Sequence, residues 1–162
     1  MKDILHEIAE ELDHLESLDE AIALAIELEE EGMAYYSEKA SVMKNATASK
    51  LYIFLADEEK KHAGYLQQYR ESKNVPKVEF TYPKFEASFS EEFSDEKLEE
   101  IGILLAALRF EHKSEYFYME LAKRAESEEQ RVFFEQVAAA ERGHYMIIDE
   151  LLDDATQFRM QT

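Results

Sequence analysis

One polar pattern occurs twice in this chain at a fixed offset, and it limits the possible folds more than any other feature. Glu29, Tyr36, Glu59 and His62 return 82 residues later as Glu111, Tyr118, Glu141 and His144. That shift aligns 25–40 with 107–122 and 51–66 with 133–148 without a gap, at five of sixteen and three of sixteen identities. An ordinary helical duplication keeps its apolar positions first. Here the polar residues coincide while their surroundings differ, so the repeat carries chemistry as well as packing.

The segments that hold the pattern read as helix. Four Gly and two Pro in 162 residues leave few breakers, and Glu, Ala, Leu and Lys dominate. Ser17 with Glu20 and Ser127 with Gln130 have capping-box spacing, and Ser94 is a candidate N-cap. These signals predict a short amphipathic helix near 2–16 and four long helices near 19–43, 47–72, 95–125 and 128–155. The links at 44–46 and 126–127 are short, which makes the helices of each pair antiparallel neighbours. Residues 73–94 contain both prolines and form the one long non-helical stretch. Phe80, Tyr82, Phe85, Phe89 and Phe93 predict that this crossover packs on the bundle. The expected fold is all-α: a four-helix bundle of ferritin-like connectivity, built from two antiparallel hairpins and one long crossover. Residues 1–18 form an extra N-terminal helix, and 19–162 form the bundle.

Each Glu-x-x-His pair turns through about 300° and rises roughly 4.5 Å, so both side chains leave one helix face. Leu55, Ala56 and Leu66 surround the first pair; Val137, Ala138 and Ile148 surround the second. Glu29 follows Ala25 and Leu28, and Glu111 follows Ala107, Leu108 and Phe110, so all four carboxylates should point inward. Glu30 is a rival register for Glu29. Buried carboxylates need compensating charge, and the chain offers no matching set of inward Lys or Arg. Two divalent ions would balance four carboxylates, with two neutral imidazoles completing the set. Two Glu from two helices plus Glu-x-x-His from each of the others is the ligand pattern of di-iron and di-manganese carboxylate bundles. Such metals would sit roughly 3.5–4 Å apart. Tyr36 and Tyr118 lie seven residues beyond Glu29 and Glu111 on the same face. They read either as core tyrosines or as phenols bonded to a ligand carboxylate. His6, His14 and His112 read as surface residues, and the runs Glu29–Glu31 and Glu99–Glu100 as mostly solvated faces. Phe110, Phe117, Met119, Phe133 and Phe134 read as core.

Composition removes other classes of function. The net charge of −19 opposes binding to nucleic acid. The absence of Cys excludes disulfides, thiolate catalysis, zinc ribbons and iron–sulfur clusters. The N-terminus is interrupted by charge every few residues, so neither a signal peptide nor a membrane span is expected there. A hydrophobic content of 46%, with nine Tyr and ten Phe, can build a sizeable core. A soluble cytoplasmic protein is the expectation.

At Glu29…Tyr36, Glu59-x-x-His62, Glu111…Tyr118 and Glu141-x-x-His144 the chain resembles the ferritin-like di-iron superfamily, most nearly the rubrerythrin-like proteins. The resemblance covers about 20–155. It implies Glu59 and Glu141 as bridging ligands, Glu29 and Glu111 as terminal ligands, and His62 and His144 as caps of one metal each. It also implies two iron ions, chemistry with hydrogen peroxide or dioxygen, and a homodimer. Manganese or zinc would suit the same ligands. Rubrerythrins carry a rubredoxin-type Cys₄ module; without Cys, this chain would take electrons from an external donor such as a rubredoxin-type protein. The family's extra Glu, three residues after the third-helix ligand, is Ser114 here, and Glu115 is a possible substitute. The haem-ligand Met of bacterioferritin corresponds to Lys60, so no haem is expected, and too few residues follow the last helix for a cage. A di-iron oxidoreductase is the leading expectation. The alternatives are a ferrous-iron binding or ferroxidase protein, or a metal-binding bundle without turnover.

Overall fold

Helix boundaries in the computed structural model fall where side chains satisfy the end groups of the backbone. The structure describes residues 4–80, 83, 85 and 94–156, in five helices: α1 (Ile4–Asp13), α2 (Leu18–Val42), α3 (Ala46–Ser72), α4 (Asp95–Lys123) and α5 (Glu128–Thr156). No strand occurs among the described residues, and no described helix is long and apolar enough to cross a membrane. The Ser17 hydroxyl accepts the Glu20 N–H at 3.2 Å, while the Glu20 carboxylate accepts the Glu16 N–H at 2.9 Å. At α5, Ser127 accepts the Gln130 N–H at 3.2 Å, and Gln130 accepts the Glu126 N–H at 2.8 Å. Each reciprocal bond thus reaches one residue earlier than a standard capping box. Ser94 caps α4 through the Lys97 N–H at 3.1 Å.

The start of α3 uses a device that sequence reading missed. Asn45 accepts the Ala48 N–H at 3.0 Å, and one oxygen of Glu100 accepts the N–H groups of both Lys44 and Asn45 at 2.8 Å. The expectation of a solvated Glu99–Glu100 face is therefore corrected for Glu100, which is buried. It answers donors that the α2–α3 turn leaves open. At the other end of α3, Lys73 adopts φ 61°, and its N–H closes the helix on the Tyr69 carbonyl at 2.8 Å.

The hairpins α2–α3 and α4–α5 turn within three and four residues, so each is antiparallel. Reciprocal contacts between the halves, described below, set α4 antiparallel to α2. Hence α3 and α4 run the same way, and the chain must travel the length of the bundle between them. That requirement is the physical reason for the long crossover. Tyr65 pins it to α3, donating to the Glu79 carbonyl at 3.3 Å and accepting the Glu79 N–H at 3.0 Å. Phe80 sets its ring against His62, and Phe85 sets its ring against Phe54. Tyr82, Phe89 and Phe93 lie outside the described residues.

Two apolar clusters fill the bundle, one on either side of its middle. Ile22, Ile26, Leu66, Leu121, Phe133, Phe134 and Val137 belong to the first, with Ile8 and Leu12 of α1 laid over it. Leu51, Leu55, Leu104, Ala107, Ile148 and Leu151 belong to the second. Arg124 ties α1 down, bonding Asp13 while also bonding Glu120 at 2.6 Å. Phe117, Phe133 and Phe134 are buried and Phe110 is partly so, but Met119 is 41% exposed, a correction to its reading as core. An apolar residue on a helix need not sit on the buried arc.

Candidate metal centre

Between the two apolar clusters the bundle holds charge. Glu29, Glu59, His62, Glu111, Glu141 and His144 are each at most 1% exposed and stand near the middle of α2, α3, α4 and α5. The structure brings all six together. Glu29, Glu59, His62 and Glu141 form one group and Glu59, Glu111, Glu141 and His144 another, each with ligand atoms within 4.8 Å of one another. Glu59 and Glu141 belong to both groups. His62 Nδ1 lies 2.8 Å from Glu141 and 3.5 Å from Glu29. His144 Nδ1 lies 3.6 Å from Glu111 and 3.7 Å from both Glu59 and Glu141. The two imidazoles stack nearly parallel, with centroids 5.7 Å apart.

The tyrosines cross between the halves. Tyr36 of α2 donates to Glu111 of α4 at 2.6 Å, and Tyr118 of α4 donates to Glu29 of α2. Each phenol lies two turns beyond the Glu of its own helix yet serves the Glu of the other, which requires α2 and α4 to run antiparallel. Both are fully buried, so each is at once a packed core residue and a carboxylate partner.

Within the protein alone this cluster is electrostatically strained. Burial, with Glu141, Glu29 and Glu111 as near neighbours, drives Glu59 well above the ordinary carboxylate range. Burial and Glu141 raise Glu111 in the same way, against the pull of His144. For Glu141 burial acts upward too, but the bond with Glu111 and the charge of His62 hold it well below that range. Burial alone would lower His62, yet Glu29 and Glu141 push it up to about 10. Burial, then the carboxylates, raises Tyr36 and Tyr118, so both phenols stay protonated donors. Positive charge, as protons or as cations, is what the cluster lacks.

The donor set fits a pair of metal ions. One oxygen each of Glu29, Glu111 and Glu141, both of Glu59, His62 Nε2 and both nitrogens of His144 are buried without a hydrogen-bond partner. Burying that many polar atoms unpaired costs several kcal/mol. Carboxylate oxygens and imidazole nitrogens together suit iron, manganese or zinc.

Other sequence readings fall into place around this core. Glu30 is exposed, so Glu29 is the inward register; His6, His14, His112 and Lys60 are exposed as well. Glu115 pairs with Arg142 at 3.4 Å and belongs to neither group. Ser114 is buried, and its hydroxyl has no partner among the described residues. One site neighbour escaped sequence reading. Glu58 is buried, with one oxygen 3.0 Å from Lys61 Nζ and the other 3.9 Å from His144 Nε2. The repeat could not reveal it, because the residue 82 positions on is Ala140.

Comparison with known proteins agrees with this geometry. Residues 102–160 match the rubrerythrin family, a span that includes Glu111, Tyr118, Glu141 and His144. No curated protein matches the chain. A solved structure of a hypothetical protein from Pyrococcus furiosus is similar at a TM-score of 0.70 and 24% identity, covering 88% of this chain and 92% of that one. That likeness shows the fold alone. The chain is a helical bundle, and its stretch 102–160 is similar to the rubrerythrin family.

Proposed function

We propose that this rubrerythrin-like bundle is a non-haem di-iron oxidoreductase that reduces hydrogen peroxide or dioxygen with electrons from an external donor. The observation that carries this reading is the sharing of Glu59 and Glu141 by two four-residue groups. Glu59 and Glu141 would bridge two ions. Glu29 and His62 would complete one set of ligands, Glu111 and His144 the other. When bound, a ferrous pair supplies two electrons, the number that cleaves one O–O bond.

The chain's own residues supply the rest. Tyr36 and Tyr118 fix the outer carboxylates in place, so little reorganisation is needed when charge changes at the site. The apolar clusters above and below keep water out and strengthen every charge interaction within. A small oxidant such as peroxide suits so enclosed a site. A homodimer in the cytoplasm belongs to the same proposal; Leu98, Leu105 and Met119, exposed and spaced by multiples of seven along α4, offer it an apolar stripe.

The −19 charge attracts cations and favours a second reading, ferrous-iron capture and oxidation. Metal analysis of protein from iron-replete cells, followed by anaerobic peroxide addition to the ferrous form, separates the two. Two irons per chain with rapid stoichiometric oxidation by peroxide are expected. Many ferrous ions oxidised per chain would favour capture, and no oxidation would leave a binding bundle.

A further inference from the structure

We propose that Glu58 makes the two metal positions unequal, acting as an outer acceptor for the imidazole of His144 that His62 does not have. This role presupposes the two-metal assignment above. His144 turns Nδ1 toward three carboxylates of the cluster, so its Nε2 faces the other way. There Glu58 stands, buried, with its Oε2 3.9 Å from Nε2. At that distance the two are in charge contact, and neither atom has a hydrogen-bond partner. A carboxylate at this point selects the tautomer with hydrogen on Nε2, which leaves the Nδ1 lone pair free for a metal and makes it a better donor. Lys61 donates to the other oxygen of Glu58 at 3.0 Å, which orients the carboxylate with Oε2 toward His144.

His62 has no such arrangement. The repeat places Ala140 where a matching carboxylate would stand, and Ala140 is fully buried with nothing to accept a hydrogen bond. His62 Nε2 has no partner, and the ring has the edge of Phe80 beside it at 5.5 Å. A ring nitrogen of His62 also comes within 4.8 Å of Glu58, farther than the 3.9 Å to His144. The pseudo-two-fold is thus exact in ligand type and broken one layer out. His144 should define the tighter position and His62 the weaker one.

Cobalt(II) alone, titrated anaerobically into the metal-free full chain against a competing chelator, reads this directly. Two binding steps are expected, separated by about 10–100-fold, the usual effect of an outer partner on metal affinity. Glu58→Leu should weaken the tighter step by that factor and merge the two. Glu58→Gln, whose amide oxygen still accepts from Nε2–H, should keep most of the separation. In the zinc-loaded protein, ¹⁵N-histidine NMR should show a downfield Nε2–H for His144 in wild type and Glu58→Gln, absent from Glu58→Leu, with His62 unchanged. Two steps of equal affinity in wild type would overturn the proposal, as would Glu58→Leu shifting both steps equally or neither. Fewer than two cobalt ions per wild-type chain would overturn the two-metal assignment itself, and the role of Glu58 with it.

Discussion

A carboxylate that holds a metal must be kept from swinging, and here the outer two are each tied by a phenol from the opposite half. Tyr118→Phe removes the bond to Glu29 while keeping the ring that packs beside Phe117. Metal affinity should fall about 10–100-fold with helicity unchanged, measurable by chelator competition beside circular dichroism. The histidines make a second statement, about pH. In metal-free protein, the rise of His62 from 6.5 to about 10 means its protonation stabilises the fold fully below 6.5. That contribution is lost as pH climbs through about 10. Glu59 and Glu111, also raised, act in the same sense, favouring the fold most below the ordinary carboxylate value. Glu141 is depressed; its contribution is present above 4.5 and disappears only on acidification through its folded value. Chelator-treated protein should therefore melt at falling temperature from pH 6.5 to 10. A melting point that climbed across that window would show that the imidazoles are not charged by their carboxylate neighbours.

At the scale of elements, the close approach of α2 and α4 depends on one glycine. A Cβ on Gly32 would stand 2.6 Å from Cζ of Phe110 and 3.3 Å from Cγ of Glu59, and the Phe110 ring packs edge-on against Tyr36. Gly32→Ala should cost about 1–3 kcal/mol, as overpacked cores do, and should weaken metal binding by moving Glu59; urea unfolding with and without metal reads both. Most of the helix plan was legible before any coordinates, because Ser17, Ser94 and Ser127 announce their helices locally. The six convergent residues were legible for a different reason: two copies of one spacing pick Glu29 over Glu30 without knowledge of the partner helix. Glu58 and Glu100 were not legible. Each meets its partner from another helix, and neither has a counterpart in the repeat. Met119 went wrong because apolar character alone does not say which arc of α4 is covered.

For the whole molecule, the missing cysteines would limit turnover in the proposed reaction. Reducing one peroxide takes two electrons, and this chain holds no thiol to replace them. Purified ferrous protein should complete a single turnover, with catalysis appearing only on addition of a rubredoxin-type donor. The net charge of −19 should make docking to an equally acidic donor faster as salt screens the repulsion. Stopped-flow oxidation followed by steady-state assays across ionic strength tests both; sustained peroxide consumption without a donor would refute the first. The crossing phenols have a consequence for symmetry too. Exchange of the two halves maps Tyr36–Glu111 onto Tyr118–Glu29 and each Glu-x-x-His onto the other, so every residue of the cluster has its twin. Two identical copies of one hairpin, face to face, would already have assembled the complete set. The crossover joins two units that match in ligand type, and a single chain can carry between them a difference, Glu58 opposite Ala140, that two identical copies could not.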